Sequence, residues 1–112
     1  INEGAALVFF GGTGPMDTTA DAILRTDRPG ATGGASVAVG DFNGDGIGDV
    51  LSGAPLASVS ASEAGLVQVW FGGTGPFDTV VDVSLLGSVV AEDFGRSVAS
   101  LPDFNGDGRA EI

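Results

Sequence analysis

The sequence predicts an all-β protein assembled from short antiparallel strands in repeated four-stranded units. Three observations lead there. Glycine accounts for 20 of 112 residues without the every-third-residue period of collagen, so tight turns between short strands must be frequent. No window carries a helical period of useful length, because glycine and proline interrupt every candidate. The chain also repeats itself. Phe10-Gly11-Gly12-Thr13-Gly14-Pro15-Met16-Asp17-Thr18 returns as Phe71-Gly72-Gly73-Thr74-Gly75-Pro76-Phe77-Asp78-Thr79 at an offset of 61 residues, and Ser36-Val37-Ala38 returns at the same offset as Ser97-Val98-Ala99. Asp41-Phe42-Asn43-Gly44-Asp45-Gly46 returns as Asp103-Phe104-Asn105-Gly106-Asp107-Gly108 at an offset of 62, one residue having been inserted within Ser100-Leu101-Pro102. About four strands per repeat is the economy of a β-propeller blade.

The strands follow from the segments between turns. Ala5 to Phe10 and Leu66 to Phe71 are apolar on both faces, as in a sheet covered on two sides. Val80 to Leu86 alternates, with Val81, Val83 and Leu85 opposite Asp82 and Ser84, which suits a half-exposed edge strand. Ala35 to Val39, Asp49 to Ser52 and Arg96 to Leu101 read as further strands. Trp70, Phe9, Phe10 and Phe71 lie in or beside these runs and are expected in the core. Arg25, Arg28, Arg96 and Arg109 are expected in solvent. The repeat divides the chain into residues 1–61 and an incomplete 62–112, in a permuted frame in which both ends fall mid-repeat.

Composition narrows the chemistry. At 43% hydrophobic residues the chain can form a packed interior. It has no cysteine, histidine or lysine, which removes disulfides, thiol catalysis, imidazole bases, zinc sites of the usual kind, P-loops and Schiff bases. Fifteen acidic residues against four arginines leave a formal charge of −11, so nucleic acid and anionic membranes are repelled and cations attracted. No apolar run reaches the roughly 20 residues of a membrane-spanning helix, and no secretory leader opens the chain, so a mature or internal segment is expected.

The strongest chemical signal is the pair of acidic loops, residues 41–49 and 103–111. Oxygen side chains stand at loop positions 1, 3, 5 and 9: Asp41, Asn43, Asp45 and Asp49 in the first, and Asp103, Asn105, Asp107 and Glu111 in the second. Glycine at position 6 permits a sharp turn that aims the position-7 carbonyl, of Ile47 or Arg109, inward. Hard oxygens in that number suit Ca²⁺; Mg²⁺ demands a tighter octahedron, and zinc or copper would lack nitrogen and sulfur ligands. Two carboxylates about 5 Å apart repel by roughly 3 kcal/mol at an effective dielectric near 20, a term that a divalent cation reverses. The competing reading is a pair of ordinary Asx turns with solvated acids. A helix-loop-helix calcium site is disfavoured, since Ser52 stands where its twelfth-position acid belongs and Gly53-Ala54-Pro55 breaks any following helix.

These residues also carry a family resemblance. Gly34-Ala35-Ser36-Val37-Ala38-Val39-Gly40-Asp41-Phe42-Asn43-Gly44-Asp45-Gly46, followed by Asp49-Val50-Leu51-Ser52-Gly53-Ala54-Pro55, resembles the FG-GAP repeat of integrin alpha-subunit β-propellers and their bacterial relatives. Phe94-Gly95 supplies the first half of the signature in the second copy, and Gly53-Ala54-Pro55 the second half in the first. The resemblance implies four-stranded antiparallel blades with a calcium loop joining the first two strands. It implies that Asp41, Asn43, Asp45 and Asp49 with the Ile47 carbonyl hold one Ca²⁺, that Asp103, Asn105, Asp107 and Glu111 with the Arg109 carbonyl hold another, and that the setting is extracellular. Gly33 stands where the family has an aromatic residue, Glu111 replaces Asp, and the second Gly-Ala-Pro is missing.

Two repeats do not close a ring of the usual 4–8 blades, so the unit is expected to be larger: a longer chain with further repeats, a ring of copies, or a head-to-tail filament. The leading expectation is a non-catalytic, calcium-binding extracellular repeat module for adhesion or assembly. A second is a binding module for glycans or an extracellular protein, with Trp70 as a stacking platform. A third is part of a secreted hydrolase using acids outside the loops, Asp17, Asp21, Asp78 and Asp82, although Asp17 and Asp78 follow proline turns and read as turn caps.

Overall fold

A computed structural model describes residues 3–59 and 61–112. Among these the chain is all β, with six strands and no helix. Strands β1 (Ala5–Val8) and β2 (Ala22–Arg25) form a two-stranded antiparallel sheet. Strands β3 (Ser36–Gly40), β4 (Asp49–Ala54), β5 (Leu66–Trp70) and β6 (Val83–Leu86) follow in sequence order as a four-stranded antiparallel meander. Its register pairs Val39 with Val50, Leu51 with Val69, and Val67 with Leu85. This meander is the four-stranded unit that the repeat length predicts.

Alternation along β5 explains the layering. All five of its residues are buried, so it has no solvent face. Trp70 points to one side, where it packs with Ala6, Ala22 and Leu24 of the smaller sheet. Val67 and Val69 point to the other, where Leu51 joins them and Val98 of the C-terminal segment covers them. Leu66 closes a third cluster with Ala31, Ala54 and Ala57. The four-stranded sheet is thus sandwiched, and the molecule is only 19 Å along its thinnest axis, about the depth of two sheet spacings.

Backbone-to-backbone contacts set the spacing. A side-chain carbon on Gly53 would overlap the carbonyl oxygen of Gly95. The two halves of the FG-GAP signature therefore meet here, with Gly53 on β4 against the turn at Gly95. Ser36 Oγ reinforces the contact by donating to the Gly95 carbonyl at 2.8 Å.

Several expectations need correction. Arg96 to Leu101 is not a strand; it makes one isolated bridge, Leu101 with Glu111. In the first copy the corresponding strand pairs with Asp49–Gly53; in the second, Glu111 is the one counterpart of those residues that it pairs with. The expected strand ending at Phe10 stops at Val8, and Phe9 and Phe10 are 37% and 51% exposed rather than core. Among the described residues no strand lies on the free edge of β1 to cover them. The Val80–Leu86 run is an edge strand as expected but begins only at Val83, and all four of its residues are exposed. Trp70 is fully buried and Phe71 packs beside the β5 core, as expected. All four arginines are exposed.

Candidate metal centre

The two acidic loops share the same backbone hydrogen bonds through their seventh position. In the first, which joins β3 to β4, Asp41 organises the backbone. Its Oδ1 accepts from the N–H groups of Gly44 and Asp45 at 2.7 and 3.1 Å, and its Oδ2 from Gly46 N–H at 2.8 Å. Asn43 Oδ1 accepts from Asp45 N–H at 3.1 Å, and Asp45 Oδ1 from Ile47 N–H at 2.8 Å. In the second, Asp103 accepts from Gly106, Asp107 and Gly108 at 2.7, 3.0 and 2.8 Å, Asn105 from Asp107 at 3.0 Å, and Asp107 from Arg109 at 2.9 Å. The sixth-position glycines, Gly46 and Gly108, sit at φ 82° and 86°, the left-handed region that the spacing requires. These hydrogen bonds are those of consecutive Asx turns, which curl the loop so that alternate side chains share its inner side.

The ninth position separates the two loops. Asp49 is fully buried, with Oδ2 accepting from Phe42 N–H at 2.7 Å and Oδ1 from Gly72 N–H at 2.9 Å. Glu111 keeps the first contact, its Oε2 accepting from Phe104 N–H at 2.9 Å. Glu111 is also one methylene longer. Carboxylate oxygens of Asp103, Asp107 and Glu111 come within 4.8 Å of one another, the one such acidic group among the described residues. Asp41, Asp45 and Asp49 form no matching group.

The loops are also neighbours. Ala110 N–H donates to the Asp41 carbonyl at 2.7 Å, and the Arg109 side-chain stem passes over Gly44. Among the described residues the one ion pair is Arg96 with Asp93, so no arginine forms an ion pair with a loop carboxylate.

The donor set fits a hard cation. Each loop offers carboxylate and amide oxygens with no nitrogen or sulfur ligand, and the second already gathers three carboxylates that no arginine pairs with. An ion there would draw on Asp103, Asn105, Asp107, Glu111 and the Arg109 carbonyl, and in the first loop on Asp41, Asn43, Asp45, Asp49 and the Ile47 carbonyl.

Of the four acids considered for hydrolysis, Asp17 and Asp78 are turn caps and Asp21 and Asp82 tie down the start of their loops. Asp17 Oδ1 accepts from Thr19 N–H at 2.8 Å and Asp78 Oδ1 from Val80 N–H at 2.7 Å, while Asp21 and Asp82 each accept from the backbone N–H of Phe10 and Phe71 at 2.6 Å. The backbone N–H and hydroxyl of Thr19 hold the exposed Asp17 carboxyl below its ordinary value, whereas a general acid for glycoside hydrolysis needs the opposite shift. Because the folded value is the lower one, the cap is intact above the unfolded aspartate pKa and is lost as pH falls through the folded one. An NMR pH series should place the Asp17 carboxyl midpoint below the ordinary aspartate range; a midpoint at or above that range would contradict the turn geometry.

Comparison with known proteins agrees with this arrangement. Residues 33–70, which hold β3, the first acidic loop, β4 and β5, match the FG-GAP repeat family. The chain is 35% identical to integrin alpha-4 of Xenopus laevis over 80 residues, 39% identical to integrin alpha-E of Mus musculus over 95, and 40% identical to integrin alpha-V of Gallus gallus over 79. These alignments cover 70%, 76% and 70% of this chain but 8%, 8% and 7% of those proteins, so the chain spans under a tenth of their length. A repeat signature that builds the observed sheet, joined to similarity reaching most of the sequence, shows that this chain belongs to the FG-GAP repeat family.

Proposed function

We propose that the chain is a calcium-binding, non-catalytic propeller repeat module with a structural or adhesive role in an extracellular setting. It comprises two repeats in a permuted frame, 1–61 and 62–112, each contributing one ion loop. The observation that carries the reading is the second loop, where Asp103, Asp107 and Glu111 converge without an ion-pair partner. The first loop has the same backbone hydrogen bonds and the same donors, which supports a second ion. Each ion would tie a hairpin loop to its flanking strands and so stiffen a blade. The extracellular setting rests on the family likeness. No helix among the described residues is long and apolar enough to cross a membrane.

Glycan stacking on Trp70 loses its support, because the ring is fully buried. Hydrolysis by Asp17 or Asp78 loses support from their role as turn caps. Exposed apolar residues on both outer faces, Leu7 and Ile23 on one side and Leu85 and Ile112 on the other, favour further repeats or further copies as partners.

The test is calcium titration by calorimetry with a parallel melting experiment. Two ions per chain are expected, with dissociation constants near 10⁻⁴–10⁻³ M, the range of extracellular modules. At calcium a hundredfold above that constant, each site adds about 2.7 kcal/mol. The melting temperature should therefore rise by roughly 10 °C per site and fall back with chelator. Identical melting curves with calcium and with chelator would overturn the proposal.

A further inference from the structure

We propose that Gly72 is a positioning residue for the ion of the first acidic loop, and that this ion in turn orders the loop formed by residues 71–79. The inference rests on the calcium reading above and adds a coupling between two separate hairpin connections. Gly72 N–H donates to Asp49 Oδ1 at 2.9 Å, across 23 residues of sequence, and Asp49 is fully buried. Carboxylate oxygens carry two acceptor sites each, so this hydrogen bond orients Asp49 while leaving a lone pair for an ion. Hydrogen bonds of that kind behind a metal ligand typically account for about 10–100-fold in affinity.

Steric fit makes the contact specific to glycine. A side-chain carbon at Gly72 would overlap the Gly48 carbonyl oxygen and lie 3.0 Å from Ile47 Cγ2. Ile47 is the residue whose carbonyl would complete the donor set, so the 71–79 loop packs on its side chain and on the peptide that follows it. The rest of that loop is tied to the core. Trp70 Nε1–H donates to the Thr79 carbonyl at 3.2 Å, Phe71 N–H donates to Asp82 Oδ2 at 2.6 Å, and Phe77 packs on the Trp70 cluster.

The first repeat provides an internal control. Its loop, residues 10–18, has nearly the same sequence, yet nothing lies within 4 Å of a side-chain carbon placed on Gly11, and Met16 at the Phe77 position is 70% exposed. Among the described residues an acidic loop lies beneath 71–79 and none beneath 10–18. Because coupling is reciprocal, a residue that raises ion affinity through the 71–79 loop must be stabilised by the ion in return.

Hydrogen exchange and calcium calorimetry on the full chain test this together. Calcium should slow exchange across 71–79 several-fold and leave 10–18 unchanged. Gly72→Ala should weaken one of the two calcium sites by about 10–100-fold, and Gly11→Ala neither. Emission of Trp70, the single tryptophan, should respond to calcium in the native chain and shift to higher calcium in Gly72→Ala. Wild-type affinity at both sites in a folded Gly72→Ala variant, or equal protection of both loops, would overturn the coupling while leaving calcium binding intact. A native chain that takes up no calcium overturns both readings. Should Gly72→Ala fail to fold, the exchange comparison on the native chain decides alone.

Discussion

Trp70→Ala should cost about 3–5 kcal/mol, the range for truncating a large buried aromatic, and with it much of the stability of a domain this size. Trp70 is fully buried and joins the two sheets, touching Ala6, Ala22 and Leu24 on one side and Val50 and Phe77 on its own. Its neighbours are mostly small, so they cannot close over the space the ring leaves. Its indole N–H also holds the Thr79 carbonyl. Urea unfolding followed by circular dichroism measures the loss, which should move the midpoint by about 2 M at the slopes usual for small domains. Trp70→Phe keeps most of the apolar volume and should cost clearly less. A shift below 1 kcal/mol in Trp70→Ala would mean that the β1–β2 sheet does not pack on β5 as described.

Asp49→Ala should combine two effects. In the absence of calcium it strands the backbone N–H groups of Phe42 and Gly72, both of which now donate to the buried carboxylate. Leaving two such donors unpaired should cost about 3 kcal/mol in total, since each buried orphan is worth roughly 1–3 kcal/mol. With calcium present the loss should grow, because one ninth-position ligand is gone and only the 103–111 loop still responds. Calorimetry should then count one ion per chain. Asp49→Asn keeps one acceptor oxygen and should fall between the two in stability while still losing the ion. Melting with and without chelator separates the contributions: the drop in chelator reports the hydrogen bonds, and the reduced calcium response reports the ligand. A variant that still binds two ions would remove Asp49 from the site.

Much of this was legible in the sequence because it is local. The acidic loops are nine-residue units whose hydrogen bonds span two to five residues around Asp41 and Asp103, so spacing alone dictates the curl and the left-handed glycines. The burial of β5 on both faces follows from Leu66-Val67 and Val69-Trp70, which leave only Gln68 as a polar residue, and it is buried with them. Strand β2 is not legible by pattern, since Ala22-Ile23-Leu24-Arg25 is too short to stand out. The repeat would have found it: shifting Val83–Leu86 by 61 residues lands on Ala22–Arg25.

Sequence by itself determined the all-β class, the repeat, the acidic loops with their oxygen donors and the turn caps at Asp17 and Asp78, because each depends on residues near one another along the chain. Only the tertiary structure decided that Asp49 answers to Gly72 on another hairpin, that the two acidic loops touch through Ala110 and Asp41, and that the second loop is the one whose carboxylates converge. It also decided that Phe9 and Phe10 lie in water while Trp70 does not, although all three close similar strands. The physical reason is that burial and side-chain orientation depend on which strand lies across the sheet, and that neighbour is set by packing between distant segments rather than by the residues on either side.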